Sequence, residues 1–372
     1  MKIAILHEML IKLGWAEKVV ENWCKMYPDA DIFTLIYDEE KSGKIFPENK
    51  INPQVFDLFT QTVYKYTKKQ RLCLPFMSKA IEQLDLSEYD VVLCSSSWFA
   101  HGAITKPDTK FIVYCHSPAR YMWDWTNEYK KDIWANSGIK WFLLNKLFLK
   151  LRQWDYIASK RADITLANST NTAWRITKYY RKDSEVLFPP IETDRFAKQI
   201  NIKAKYNDYY IIISALTEFK KIDIAIKAFN KMSDKNLVII SDWDYRKTLE
   251  KMAQKNTTFV GYQYWDNLVS LVQNSNWLIF PWEEDFWMVP VEVMAAWKPV
   301  FAYRWGWLLE TVLEWVTWEF FDDKNWDDFE ISFREFDNDN LDWKYLAENC
   351  KKQAEKFSEK KFEEKIKELV EN

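Results

Sequence analysis

The apolar positions along the chain fall into two series of short runs. In the first half, KIAIL, DIFTLIY, DVVLCSS and KFIVYCH are nearly continuous apolar stretches that end in polar residues. That is the pattern of strands buried on both faces of a parallel sheet. Between the runs, apolar residues recur at helical spacing, as in AEKVVENWCKMY after a turn at Gly14. Residues 60–84 read as a basic helical region broken near Pro75. A helix over about 137–162 precedes DITLANS, a further short strand, and then a helix over 170–180.

VLFPPIETDRF interrupts the alternation, and Pro189-Pro190 can continue neither a helix nor a central strand, so this stretch reads as a linker. The pattern restarts after Tyr209 with YYIIIS, NLVIIS, TTFVG, NWLIFP and KPVFAY as strands. Helices over 221–232, 244–255, 266–274, 288–296 and 307–314 separate or follow them, and the charged tail 344–370 is helical. Two successive α/β domains with parallel sheets are predicted: residues 1–190, residues 191–355, and a terminal helix over 356–372. A length of 372 residues suits two domains, each with its own core.

No apolar run reaches the roughly 18 residues a membrane span needs. The opening MKIAILHEML reads as a first strand, because Glu8 interrupts its apolar run and no small-residue cleavage site follows. With 48% hydrophobic residues and 52 Lys+Arg against 55 Asp+Glu, the chain is neither disordered nor a disulfide-stapled miniprotein. The five cysteines show no C-x-x-C spacing, which points to buried thiols in the cytoplasm. Residues 130–182 hold 12 basic and only 3 acidic side chains, and in IKWFLLNKLFLKLRQW basic and apolar residues interleave. One reading is a solvated helix face over the core; the other is peripheral docking on the anionic inner face of the cell membrane. The net charge of −3 and the lack of a recognition motif argue against nucleic acid.

Composition changes the picture at one point. There are 6 glycines and 21 tryptophans, where average usage would give about 26 glycines. Several tryptophans stand where backbone geometry asks for glycine: Trp15 after Gly14, Trp243 after LVII, Trp297 after VEVMAA, Trp305 and Trp307 around Gly306, and Trp315 and Trp318 about a turn in EWVTWEFF. The expectation is that many are glycines in the organism, a TGA codon having been read as Trp in place of Gly. Trp123 and Trp154, in aromatic or amphipathic surroundings, read as genuine. The alternative is a truly Trp-rich, non-catalytic carbohydrate-binding protein with a sugar-stacking surface.

The most specific stretch is FPWEEDFWMVPVEVMAAWKPVFAY, with Glu284 before a helix and Glu292 within it. A helix N-terminus there, opened by glycine at position 287, would favour an anion such as a diphosphate. EEDFWMVPVE resembles the E-x7-E signature of the retaining nucleotide-sugar glycosyltransferases of family 4, with Trp287 where the family has glycine. LIKLGWAEKVV resembles that family's Gly-Gly-Ala-Glu loop. YCHSPARYMWDW resembles its His-containing motif, ANSTNTAWRITKYY with VLFPPIETDRF its approach to the linker, and SALTEFKKIDIAIKAF its phosphate-binding lysine segment. The likeness covers nearly the whole chain and is nearest the mannosyltransferase-like branch used in polysaccharide assembly.

The resemblance implies a GT-B fold: two Rossmann-like domains facing across a cleft, with the C-terminal helix crossing back to the first. It implies hexose transfer from a nucleotide-sugar donor, GDP-mannose favoured, to a glycan or lipid-linked acceptor. By this resemblance Glu284 contacts the donor sugar, Glu292 the ribose, and Lys220, with Lys221 beside it, the diphosphate leaving group. Asp285, Phe286, Trp287, Met288 and Val289 would line the donor, as would backbone amides at Gly14 and Trp15. His116 would touch the donor sugar, and His7 and Arg120 would lie on the acceptor side. His101 is expected to be structural. Ala215 stands where the family often has arginine. No metal and no cofactor are expected; Asp242-Trp243-Asp244 fits the family's Gly-Asp-Gly turn. A dehydrogenase reading fails because the first turn lacks G-x-G-x-x-G.

Overall fold

The structure is a computed structural model that describes residues 1–124, 126, 138–200, 202, 205–282, 288–304, 308–314, 316–321, 326–338 and 343–371. It divides into two compact units: Met1–Pro190 with Glu363–Asn372, and Ile191–Phe362.

The first unit is built on a six-stranded parallel sheet: β1 (Ile3–Leu10), β2 (Asp31–Tyr37), β3 (Val91–Ser96), β4 (Lys110–Cys115), β5 (Ile164–Ala167) and β6 (Glu185–Val186), in the order β2-β1-β3-β4-β5-β6. All six residues of β3 and seven of the eight in β1 are buried, as their unbroken apolar runs require. His7 pairs in register with Ser95, and Ser95 with Tyr114, so the period of two puts these three on one face near the carboxyl ends of their strands. The chain reverses direction across the sheet between β1 and β3. In open α/β sheets, ligands bind outside the carboxyl ends of the strands at such a reversal.

Helices cover both faces. Trp15–Met26 starts from the extended Gly14 and buries Glu17, Val19, Val20, Asn22 and Trp23. The basic helical region is broken just before Pro75, between Thr67 and Leu74, with Pro75 itself inside the next helix. It lies in the first turn of Leu74–Glu82, where its missing N–H costs nothing, after a helix over Phe59–Thr67 and a 3-10 turn. The helix Gly138–Ala158 buries Phe148 and Leu151 in the core while Trp141, Phe142, Leu143 and Leu149 stay exposed among Lys146 and Lys150. The last helix, Glu359–Glu371, ends on this unit: Glu363 accepts from Asn22 at 3.0 Å, Lys365 pairs with Glu185 at 2.9 Å, and Lys110 donates to the Leu369 carbonyl. The tail is two helices rather than one, because Ser358 starts this helix by accepting from the Lys361 amide.

The second unit repeats the plan with β7 (Tyr209–Ile213), β8 (Asn236–Ile240), β9 (Thr257–Gly261), β10 (Leu278–Phe280), β11 (Val300–Tyr303) and β12 (Trp318–Phe321), in the order β12-β11-β10-β7-β8-β9. This is the dinucleotide-fold order, and its reversal lies between β7 and β10. Tyr210, Phe229, Trp277, Phe301, Phe321, Phe329 and Phe333 interlock edge-to-face and stacked as an aromatic core. Two strands escaped the sequence reading. They are β6, two residues long, and β12, paired in parallel with β11; the turn expected between Trp315 and Trp318 falls at Val316 and Thr317, just before β12.

Trp297 ends the helix Val289–Ala295 in the left-handed conformation, φ 64°, with the next amide bonded back to the Val293 carbonyl at 3.1 Å. That is the helix-end place that favours glycine. Among the described residues, Trp297 is the one tryptophan with positive φ; Trp15 and Trp243 have ordinary backbone there. Trp287, Trp305, Trp307 and Trp315 lie outside the described residues. Trp123 and Trp154 are packed on the first core with their indole N–H groups bonded to Asp155 at 2.7 Å and Glu82 at 2.9 Å. All five cysteines are free thiols, four of them buried. Among the described residues no helix is long and apolar enough to cross a membrane.

Candidate functional site

The described candidate residues lie in two groups, one near the carboxyl ends of the strands in each sheet. In the first unit, His7 near the end of β1 is 3% exposed. Its Nδ1 lies 3.2 Å from the Ser95 carbonyl and 3.0 Å from Ser95 Oγ, and that hydroxyl lies 2.8 Å from His116 Nε2. Glu17, on the covering helix, approaches His7 Nε2 at 3.8 Å, and Glu8 approaches Nδ1 at 3.9 Å. Burial opposes charge on His7, but the carboxylates of Glu17 and Glu8 outweigh it and raise its pKa above the usual value. Burial and the neighbouring His7 push His116 the other way, down to about 4. The pKa values of two imidazoles sharing one hydroxyl are thus shifted in opposite directions.

On the other face Glu8 holds the loop after β3, accepting from the amides of Ser97 and Trp98 at 2.7 Å each and from Ser96 Oγ at 3.0 Å. Ser96 also meets His101 Nδ1 at 3.0 Å, and His101 Nε2 lies 3.2 Å from Asp155. His101 is tied into this buried scaffold. Arg120 stands in the turn after His116, 4.0 Å from Asp124, which Arg175 grips at 3.0 Å. Gly14 and Trp15 border a pocket of about 360 Å³ lined also by Leu13, Glu17, Lys18, Glu21 and Ile45. Its walls are mostly apolar, with the carboxylates of Glu17 and Glu21 and the ammonium of Lys18.

In the second unit, Lys220 ends the 3-10 turn Glu218–Lys220 that follows β7, and it is 2% exposed. Its ammonium lies 5.1 Å from the ring centres of both Phe219 and Trp282. Trp282 follows β10, is fully buried and stacks on Phe280 at 3.9 Å. Lys221, exposed and left-handed at φ 51°, starts the helix Ile222–Lys231. Met288 caps the helix Val289–Ala295; Val289 is buried and Glu292, in its first turn, is half-buried. Glu284, Asp285, Phe286 and Trp287 lie outside the described residues. Ser241, one residue before the turn expected at Asp242-Trp243-Asp244, takes φ 117°, and Asp242 binds Arg246 at 3.1 Å, as part of a surface ion-pair chain to Glu250. Among the described residues no cluster of side chains could hold a metal ion.

Ser95, Glu8, Glu17 and Trp282 were not singled out by sequence. Glu17 and Glu8 stand inside the loop and strand motifs, but only the fold turns them toward His7. Trp282 looked like one more aromatic in an aromatic-rich chain.

Two family models match the chain: Glycosyltransferase Family 4 over residues 16–195 and Glycosyl transferases group 1 over residues 193–357. A curated "uncharacterized glycosyltransferase" of Methanocaldococcus jannaschii is 30% identical over 43% of this chain, a match spanning about half, 48%, of that relative. The alpha-1,3/1,6-mannosyltransferase ALG2 of Candida glabrata is 26% identical over 84% of this chain and 78% of its own. Among solved structures, Anabaena HepE in complex with UDP superposes with a TM-score of 0.72 at 15% identity, covering all of both chains. A sucrose-phosphate synthase from Thermosynechococcus elongatus gives 0.69 at 12%, covering all of this chain and 98% of its own. Those superpositions show the fold alone; the family models and curated relatives carry the activity. With the two models meeting in the linker between the units, the chain is a glycosyltransferase built from two Rossmann-like domains of the GT-B fold.

Proposed function

We propose that this glycosyltransferase is a family 4 retaining hexosyltransferase that moves mannose from GDP-mannose to a glycan or lipid-linked acceptor in polysaccharide assembly. The observation that carries the reading is the placement of Lys220, after β7, and of the carboxyl end of β10 at the strand reversal of the second sheet, where an α/β fold binds nucleotides. Mannose is favoured by the ALG2 relatives, which are named mannosyltransferases. HepE structures with UDP and UDP-glucose make a uridine donor the competing choice.

In this mechanism Lys220, with Lys221 nearby, faces the charge that develops on the departing diphosphate. Glu284 and His116 contact the donor sugar, Glu292 holds the ribose, and backbone at Asp285, Phe286, Trp287, Met288 and Val289 cradles the donor. Amides at Gly14 and Trp15 approach the diphosphate, and His7 and Arg120 serve the acceptor side. The acceptor hydroxyl oxygen bonds to the anomeric carbon on the face the diphosphate vacates. The electrons of the broken bond go to the diphosphate, and one of its oxygens takes the hydroxyl proton. No metal or cofactor takes part. A screen of GDP-mannose, UDP-glucose and UDP-GlcNAc for transfer or hydrolysis tests the reading: turnover of GDP-mannose is expected to be highest, and absence of turnover with all three would remove it.

Two further parts belong to the same reading. Glycine as the residue the organism places at many of these tryptophans is supported at Trp297 by its left-handed backbone, whereas Trp15 and Trp243 have ordinary backbone. Native tryptic peptides weighed by mass spectrometry decide it, and intact Trp at 243 and 297 would end the idea. The exposed Trp141, Phe142, Leu143 and Leu149 beside Lys146 and Lys150 support peripheral docking of the 130–182 region on the anionic cytoplasmic leaflet. Co-sedimentation with anionic but not with neutral vesicles is expected; equal binding to both would refute it.

A further inference from the structure

His7, Ser95 and His116 form a buried line of hydrogen bonds whose proton positions can be worked out. The Ser95 carbonyl can only accept, so His7 Nδ1, 3.2 Å from it, carries a hydrogen. The same N–H reaches Ser95 Oγ at 3.0 Å, so that oxygen accepts from His7. Ser95 has one proton of its own and is fully buried. Among the described residues its hydroxyl meets only His7 and His116. If His116 Nε2 also donated, the hydroxyl proton would be left without an acceptor, at a cost of about 1–3 kcal/mol. The satisfied arrangement has Ser95 donating to His116 Nε2 across 2.8 Å.

We propose that Ser95, oriented by His7, is a positioning residue that locks His116 into the tautomer with its proton on Nδ1, so that His116 offers its substrate a hydrogen-bond donor and no basic nitrogen. The groups facing this line agree. Glu17 and Glu8 flank His7 at 3.8 and 3.9 Å and favour its charged form, which donates from both nitrogens. Burial, and after it the neighbouring His7, lower the pKa of His116. Tyr114 meets the His116 ring only edge-on at 5.2 Å, and Thr172 bonds its carbonyl, not its ring. No described protein group bonds Nδ1, so the N–H is available to an acceptor oxygen of a sugar hydroxyl or a phosphate. In this tautomer the Nε2 lone pair is taken up by Ser95, so His116 acts as a donor rather than as a general base. The tautomer stands on these protein contacts alone; its use toward substrate rests on the functional reading given above.

The chain has three histidines, so nitrogen-15 labelling of histidine alone gives three ring systems, assigned with His7→Gln and His101→Asn variants. Two-bond proton–nitrogen correlations on the full chain at pH 7 are expected to show His116 protonated on Nδ1 and bare on Nε2. In Ser95→Ala the ring should shift toward a mixture of tautomers and titrate at higher pH, and Ser95→Thr, which keeps the hydroxyl, should restore the single form. Protonation of His116 on Nε2 in the unmodified chain, or a tautomer unmoved in a folded Ser95→Ala, would overturn the proposal. Addition of GDP-mannose or UDP-glucose tests the substrate contact separately: the expected tautomer with no His116 shift on either donor would sink the functional reading of that residue and leave the positioning role standing.

Discussion

The ammonium of Lys220 and the indole of Trp282 face each other at 5.1 Å inside the second unit, in a site that leaves Lys220 2% exposed. An ammonium over an aromatic face in a desolvated site is held by about 2 kcal/mol, an attraction that competes with any the ammonium makes to an anionic ligand. Trp282 also has its indole N–H buried without a hydrogen-bond partner among the described residues, which makes it a costly occupant.

Trp282→Gly should therefore raise kcat/KM for donor turnover by about tenfold or more, since each ~1.4 kcal/mol released to the transition state is tenfold in rate. Steady-state kinetics with GDP-mannose and UDP-glucose check this. A folded variant with unchanged kcat/KM would show that the ring does not restrain Lys220.

Lys220→Ala should lower kcat by roughly 10²–10³, the loss expected when one donor to a developing anion is removed. Glu284→Gln should fall by a similar factor. Turnover within threefold of the parent, in protein whose circular dichroism is unchanged, would take that residue out of the mechanism.

At Trp297 the two substitutions Gly and Ala separate backbone strain from side-chain loss. Left-handed backbone costs a non-glycine residue about 1 kcal/mol. Both variants lose the contact of the ring with Lys351, 5.4 Å away, so it cancels. Trp297→Gly should be about 1 kcal/mol more stable than Trp297→Ala by urea denaturation, and the reverse order would show that φ 64° carries no strain.

The two histidines make opposite contributions to stability as pH changes. His116 is depressed to about 4, so its folded state resists protonation. Its stabilising effect is present above the unfolded value of about 6.5 and is lost as pH falls toward 4, by up to about 3 kcal/mol. His7 is raised, so its contribution is full below about 6.5 and fades as pH climbs through its folded value. His116→Gln should accordingly gain stability relative to the parent between pH 7 and pH 4.5. His7→Gln should show its largest loss below about pH 6.5, narrowing in alkali. Urea midpoints across that range check both signs.

The strands that were easy to read, β1, β3, β4, β7 and β8, are buried on both faces, so their apolar runs stand out whatever surrounds them. β12 was missed because it sits at the sheet edge and opens on a tryptophan in a stretch dense with aromatics, where alternation cannot be seen. Motif spacing brought His116, Lys220 and Glu292 forward, yet it could say nothing of their protonation or access. Ser95 is one serine in a run of three; it matters because its register partner across the sheet is His7.

The linear order of residues thus determined the two α/β halves, the break at Pro189-Pro190 and the family signature, since each depends on short-range periodicity or on residues a few positions apart. Tertiary structure alone decided that the two sheets reverse between β1 and β3 and between β7 and β10, that Glu17 reaches a histidine on another element, and that an indole 62 positions down the chain covers Lys220. Strand order and side-chain environment arise from contacts between segments far apart in the chain, and local preference carries no record of which distant partner a residue will meet.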